Sequence, residues 1–102
     1  MDKNIILAKL SRIKPQYEKE GFIIEGIFGS AARPDTTSPG DIDILVHTTP
    51  QFAKKHRFEA ISRYNEIRDE ISDYLQYPVD IASSTGMGTT AKRYIIDRTL
   101  YL

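Results

Sequence analysis

Asp41 and Asp43 stand two residues apart in Asp41-Ile42-Asp43-Ile44-Leu45-Val46, where carboxylate and aliphatic side chains alternate as they do along a β-strand. Both carboxylates then point to one face and Ile42 and Ile44 to the other. Like charges a few ångströms apart repel and push one member toward its protonated form, so such a pair needs a cation. Magnesium takes oxygen ligands and keeps waters and substrate phosphates in its shell, so two strand carboxylates and a triphosphate make a natural site. Asp80, in Val79-Asp80-Ile81-Ala82, is the best-placed third carboxylate for a two-metal arrangement, in which one ion holds the triphosphate and the other activates an attacking hydroxyl. Ten residues separate Gly29-Ser30 from Asp41. Gly29 lets the backbone approach a phosphate closely, and the Ser30 hydroxyl and amide at a helix start can donate to phosphate oxygens. Arg33 either adds charge there or pairs with a nearby carboxylate.

Each residue also has a plainer reading. Gly29-Ser30 alone would be an ordinary strand-to-helix turn. Asp41 could cap a turn after Pro39-Gly40, which leaves Asp43 on the same face unexplained. Asp80 could be a solvated or salt-bridged residue at a strand edge.

The elements that must position these residues follow from periodicity. Ile6, Leu10, Ile13 and Tyr17 form a helical stripe that Pro15 should kink or restart. After Gly21, Phe22 to Phe28 reads as a buried strand that delivers Gly29 and Ser30 to its end. Residues 31–40 are rich in turn formers and read as loop. Thr48 to Lys55 is polar and is expected to be loop as well. Phe58, Ile61, Tyr64, Ile67, Ile71 and Leu75 keep a helical period and predict one long helix from about Phe58 to Leu75. A short third strand follows at Val79 to Ala82. Tyr94, Ile95, Arg98 and Leu102 suggest a last helix over 91–102, and Tyr64, Tyr74, Tyr77, Tyr94 and Tyr101 read as core or interface residues.

At 102 residues the chain is expected to form one domain, spanning 1–102, around one core. Apolar content of 40% and charged content of 27% argue against disorder. Fourteen basic and fourteen acidic residues cancel, so no global field draws the protein to nucleic acid or anionic lipid. The run Lys54-Lys55-His56-Arg57 invites polyanion contact but reads first as a solvated face, and His47, which could reach the site from the end of its strand, reads first as incidental to it. The absence of cysteine excludes disulfides and thiolate chemistry. No apolar stretch is long enough to cross a bilayer and the first residues do not resemble a signal sequence, so cytoplasmic residence is the expectation.

The run Ile27-Phe28-Gly29-Ser30-Ala31-Ala32-Arg33, followed by Gly40-Asp41-Ile42-Asp43-Ile44-Leu45-Val46, resembles the minimal nucleotidyltransferases of the DNA polymerase beta superfamily. Their signature is a Gly-Ser pair, ten intervening residues and an Asp-x-Asp strand. The sequence departs from it in Pro34, where glycine is usual, and in Gly40, where serine commonly precedes the first aspartate. The resemblance covers most of the chain, with Val79-Asp80-Ile81 matching the third acidic strand. It implies an α+β fold with a small mixed sheet flanked by helices, Mg2+ held by Asp41, Asp43 and Asp80, and ATP as substrate contacted by Gly29, Ser30 and Arg33. It further implies that the protein is an antitoxin, transferring AMP to a tyrosine of a HEPN-family toxin. Two readings compete: an antitoxin that neutralises its toxin by complex formation alone, and a small-molecule nucleotidyltransferase similar to those that inactivate aminoglycosides, which carry additional helical domains.

Overall fold

The computed structural model describes residues 3–28, 41–84 and 99–102. Helix α1 (Lys3–Glu18) buries Ile6, Leu10 and Tyr17, with Ile13 partly covered, as the stripe predicts. It runs through Pro15 without a break. Pro15 and Ser11 are both exposed, so the carbonyl that loses its helical donor lies on the side where water can serve it. The chain then reverses at Gly21, whose φ of +89° favours glycine, and a Cβ there would overlap the Thr49 side chain and the Phe52 amide.

Strand β1 (Phe22–Phe28) pairs antiparallel with β2 (Ile42–Thr48). Helix α2 (Pro50–His56), a single 3-10 turn (Arg57–Glu59) and helix α3 (Ala60–Leu75) connect β2 to β3 (Val79–Ser83), which runs parallel to β2. Strand β4 (Leu100–Tyr101) pairs antiparallel with the free edge of β1, giving the order β3-β2-β1-β4. A register shift between Ile24 and Gly26 bulges β1 at Glu25, and Gly26 lies so close to Leu100 that any Cβ would overlap its carbonyl. The result is a mixed α+β arrangement, as expected.

The helices meet on one face of the sheet. Phe22 sits at the centre, its ring within 6.0 Å of those of Tyr17 and Phe52 and 5.7 Å from Tyr64. Ile24, Ile27, Ile42, Ile44 and Val46 supply the sheet side of this core, and Ile67, Ile71 and Leu75 the α3 side.

Three expectations are corrected. Residues 50–56 form α2, not loop: Thr49-Pro50 is an N-cap and first-turn proline whose signal was outweighed by the polar composition of the segment. The long helix begins at Ala60; Phe58 is fully exposed in the 3-10 turn before it, and Ile61, in the first turn of the helix, is 78% exposed. The described end of the expected closing helix is a strand, since Leu100 and Tyr101 find the unpaired edge of β1; residues 91–98 lie outside the described residues.

A polar clasp ties the helices together. Glu20 accepts from Arg63 at 2.8 and 2.9 Å and lies 2.8 Å from His56 Nε2, while Arg63 also donates to Glu70 at 2.8 Å and the Tyr17 hydroxyl donates to Glu70 at 2.8 Å. His56, read from sequence as part of a solvated face, is therefore an internal brace. The Arg63 hydrogen bonds lead the causes that hold the Glu20 carboxyl below the usual carboxylate range. The clasp is accordingly in place above the unfolded glutamate value and is lost as pH falls through the depressed one. Arg63→Ala should destabilise the fold by about 2 kcal/mol or more, and the deficit should shrink on acidification below pH about 4, as chemical denaturation at several pH values would show.

Candidate active site

The position of Asp80 follows from how α3 ends. Gln76 adopts a left-handed conformation (φ 56°, ψ 42°), its amide donating to Asp73 and the Tyr77 amide to Ser72 at 3.2 Å, a closing motif that reverses the chain through Pro78 into β3. The Pro78 carbonyl accepts the Ile42 amide at 2.9 Å, stitching the starts of β2 and β3 together. The parallel register then sets Asp43 against Asp80, Ile42 against Val79 and Ile44 against Ile81. Val79 is buried and Ile81 packs against the core, so Asp80 points to the opposite face, exposed, beside Asp43. Neighbouring strands lie about 4.8 Å apart, which makes the two carboxylates side-by-side neighbours.

Asp41 lies in the bend just before β2 and is exposed. Burial pushes the Asp43 carboxyl above the usual range, and the charges of Asp80 and then Asp41 push it further. Among the described residues no lysine, arginine or histidine pairs with any of the three; Asp80 Oδ1 accepts only its neighbour's Ile81 amide, at 3.0 Å. The same residues gather no group of three or more acidic, histidine or cysteine side chains tight enough to enclose an ion. An open, anionic set of hard oxygen donors suits a divalent cation that completes its shell with waters and phosphate oxygens, and does not suit one that needs a closed protein cage. Gly29, Ser30 and Arg33 lie outside the described residues; Phe28, the last residue of β1, is the partner of Asp43 in the β1–β2 register.

Residues 12–102 match the model of the nucleotidyltransferase domain. The chain belongs to that family. A solved structure whose description proposes a minimal nucleotidyltransferase shares the architecture of this nucleotidyltransferase domain with a TM-score of 0.74 at 20% identity, covering 100% of this chain and 97% of that one. Likeness at that level of identity is likeness of fold. No curated protein matches the chain. The nucleotidyltransferase family in general works on nucleoside triphosphates with a divalent metal. Among the described residues no helix is long and apolar enough to cross a membrane.

Sequence reasoning passed over one polar group on the acidic face of the nucleotidyltransferase sheet. His47 Nδ1 lies 3.2 Å from Glu25 Oε1, and the Ser84 hydroxyl donates to Glu25 Oε2 at 3.3 Å. His47 shares its face of β2 with Asp43, at four residues' remove, with the fully buried Leu45 between them. The Glu25 bulge that enables this contact leaves no mark in local sequence, so His47 could be recognised only as a strand-end histidine.

A carboxyl whose pKa is raised by folding opposes the fold: between the ordinary carboxylate value and the raised one, stability falls as pH rises, and the loss is complete above. In metal-free buffer at pH 7, Asp43→Asn should therefore raise the midpoint of thermal unfolding, and magnesium should raise the wild-type midpoint more than that of the variant. Scanning calorimetry with and without chelator measures both.

Proposed function

We propose that the protein is a magnesium-dependent adenylyltransferase that moves AMP from ATP onto a tyrosyl hydroxyl of a cognate HEPN-type toxin, and so acts as its antitoxin. The observation that carries this reading is Asp43, half-buried, held beside Asp80 and near Asp41 with no basic side chain among the described residues to neutralise them. Asp43 would be the shared ligand, with Asp41 and Asp80 on either side. A bound Mg2+ would neutralise charge developing on the phosphates and lower the pKa of a coordinated hydroxyl.

The chain's own residues then have distinct tasks. The Gly29 backbone and the Ser30 hydroxyl and amide orient the triphosphate, and Arg33 adds positive charge beside it. The rigid β2–β3 pairing holds Asp43 and Asp80 at a fixed spacing, so no reorganisation is needed when charge develops. The tyrosyl oxygen forms a bond to the α-phosphorus, the bond from that phosphorus to the bridging oxygen breaks, pyrophosphate leaves with the electron pair, and the phenolic proton passes to a carboxylate of the site. The acceptor hydroxyl would be supplied by the toxin.

Purified protein, Mg2+, α-labelled ATP and a co-expressed HEPN-type acceptor protein should yield a labelled acceptor carrying the mass of AMP. Asp41→Asn and Asp43→Asn should abolish labelling with unchanged circular dichroism. An undiminished adduct with the double variant would refute the assignment. Full neutralisation by that variant, with no covalent mark, would favour inhibition by complex formation.

A further inference from the structure

Phe58, just before α3, is fully exposed and Ile61, in its first turn, is 78% exposed, while Ile67, Ile71 and Leu75 of the same helix are buried. Ile61 lines an apolar groove of about 240 Å³ together with Thr48, Phe52, Ala53, Ala60 and Tyr64, and Phe58 stands three residues before it in the chain. The backbone that presents Phe58 is itself costly. Arg57 has φ 48° and ψ −119°, a region that residues with a Cβ seldom occupy, and its amide ends α2 on the Ala53 carbonyl.

Charge surrounds this apolar feature. Lys54, Lys55 and Arg57 are exposed, and among the described residues none of them forms an ion pair. Glu59 is the one acidic residue between Pro50 and Arg63. His56, the remaining member of the basic run, is engaged with Glu20 and faces inward. An apolar knob, an adjacent groove the size of one or two side chains, and uncompensated cations around them have the composition of an interface core with a charged rim.

We propose that this surface docks the acceptor protein through a segment that sets a bulky apolar side chain among carboxylates; the inference rests on the transfer reading above and adds to it the place and chemistry of recognition. The groove is concave, which suits a side chain of a folded partner better than a planar lipid surface. A second copy of this chain would bring like charges together across a two-fold axis. The surface lies on the helical side of the sheet at the Thr48 end of β2, whereas Asp43 lies near the other end on the opposite face, so a docked partner leaves the carboxylates open. Contacts that distant from the chemistry are made equally in the ground and transition states, and their loss appears in KM and not in kcat.

The test is AMP-transfer kinetics with the cognate HEPN protein as acceptor, for wild type, Phe58→Asp and the pair Lys54→Glu/Lys55→Glu, alongside sedimentation velocity of each protein alone. Phe58→Asp should raise the acceptor KM roughly ten- to hundredfold with kcat unchanged. The charge reversal should raise KM and flatten its dependence on salt. Phe58 is fully exposed, so circular dichroism should match the wild type. Labelling with unchanged KM in both variants overturns this inference and leaves the transfer reading intact. A wild-type protein that neither binds nor labels the acceptor overturns both. Self-association lost in Phe58→Asp, or co-pelleting with phosphatidylserine vesicles lost in that variant, each with an unchanged acceptor KM, would give the surface to another occupant and overturn it.

Discussion

Two carboxylates on adjacent strands, in register and pointing the same way, are the constraint around which the chain is built. Parallel pairing of β2 with β3 opposes Asp43 to Asp80, and burial adds to their repulsion by penalising the charged form of Asp43. A sheet selected for stability alone would place residues there that gain from being neighbours. The unfavourable pair survives because the core on the other face is indifferent to it: Ile42, Ile44, Val46 and Val79 are buried against the helices whether or not the outward positions repel. The core face of the strands thus carries the cohesion with the helices, and the acidic residues stand on the other.

The helical layer holds that division in place. Phe22, ringed by Tyr17, Phe52 and Tyr64, joins α1, α2 and α3 to the sheet, and Glu20 joins the same helices by hydrogen bonds from Arg63 and proximity to His56. The turn at Gln76 and Tyr77 sets where β3 starts, and the bond from the Ile42 amide to Pro78 sets its register. A one-residue slip there would turn Asp80 into the core and Val79 out of it. The spacing of the acidic pair is therefore determined by a helix cap, a proline and a single backbone bond, none of which touches the carboxylates.

On the helical side, Lys54 and Lys55 at the end of α2 and Arg57 and Phe58 in the turn into α3 are exposed on the connection from β2 to β3. The connection serves to return the chain from β2 to a parallel neighbour, a task that leaves its outer surface free to vary.

Where a feature depends on residues close in the chain, the sequence alone determined it. The alternation in Asp41 to Val46 put Asp43 opposite Ile42 and Ile44, Val79-Asp80-Ile81 turned its carboxylate away from the core, and the stripe of Ile6, Leu10 and Tyr17 named the buried face of α1. Strand and helix periods are local properties, legible wherever side chains alternate cleanly. The tertiary structure decided what depends on distant partners: that Asp80 lies beside Asp43, that Glu25 bulges to meet His47 and Ser84, that His56 turns inward to Glu20, and that Leu100 and Tyr101 form a strand. It also decided that Phe58 and Ile61, in step with a buried stripe, are exposed, Phe58 in a 3-10 turn that follows the positive-φ residue Arg57. Periodicity assumes an unbroken backbone, and the cost of breaking it is met by packing and pairing that no short window of sequence contains.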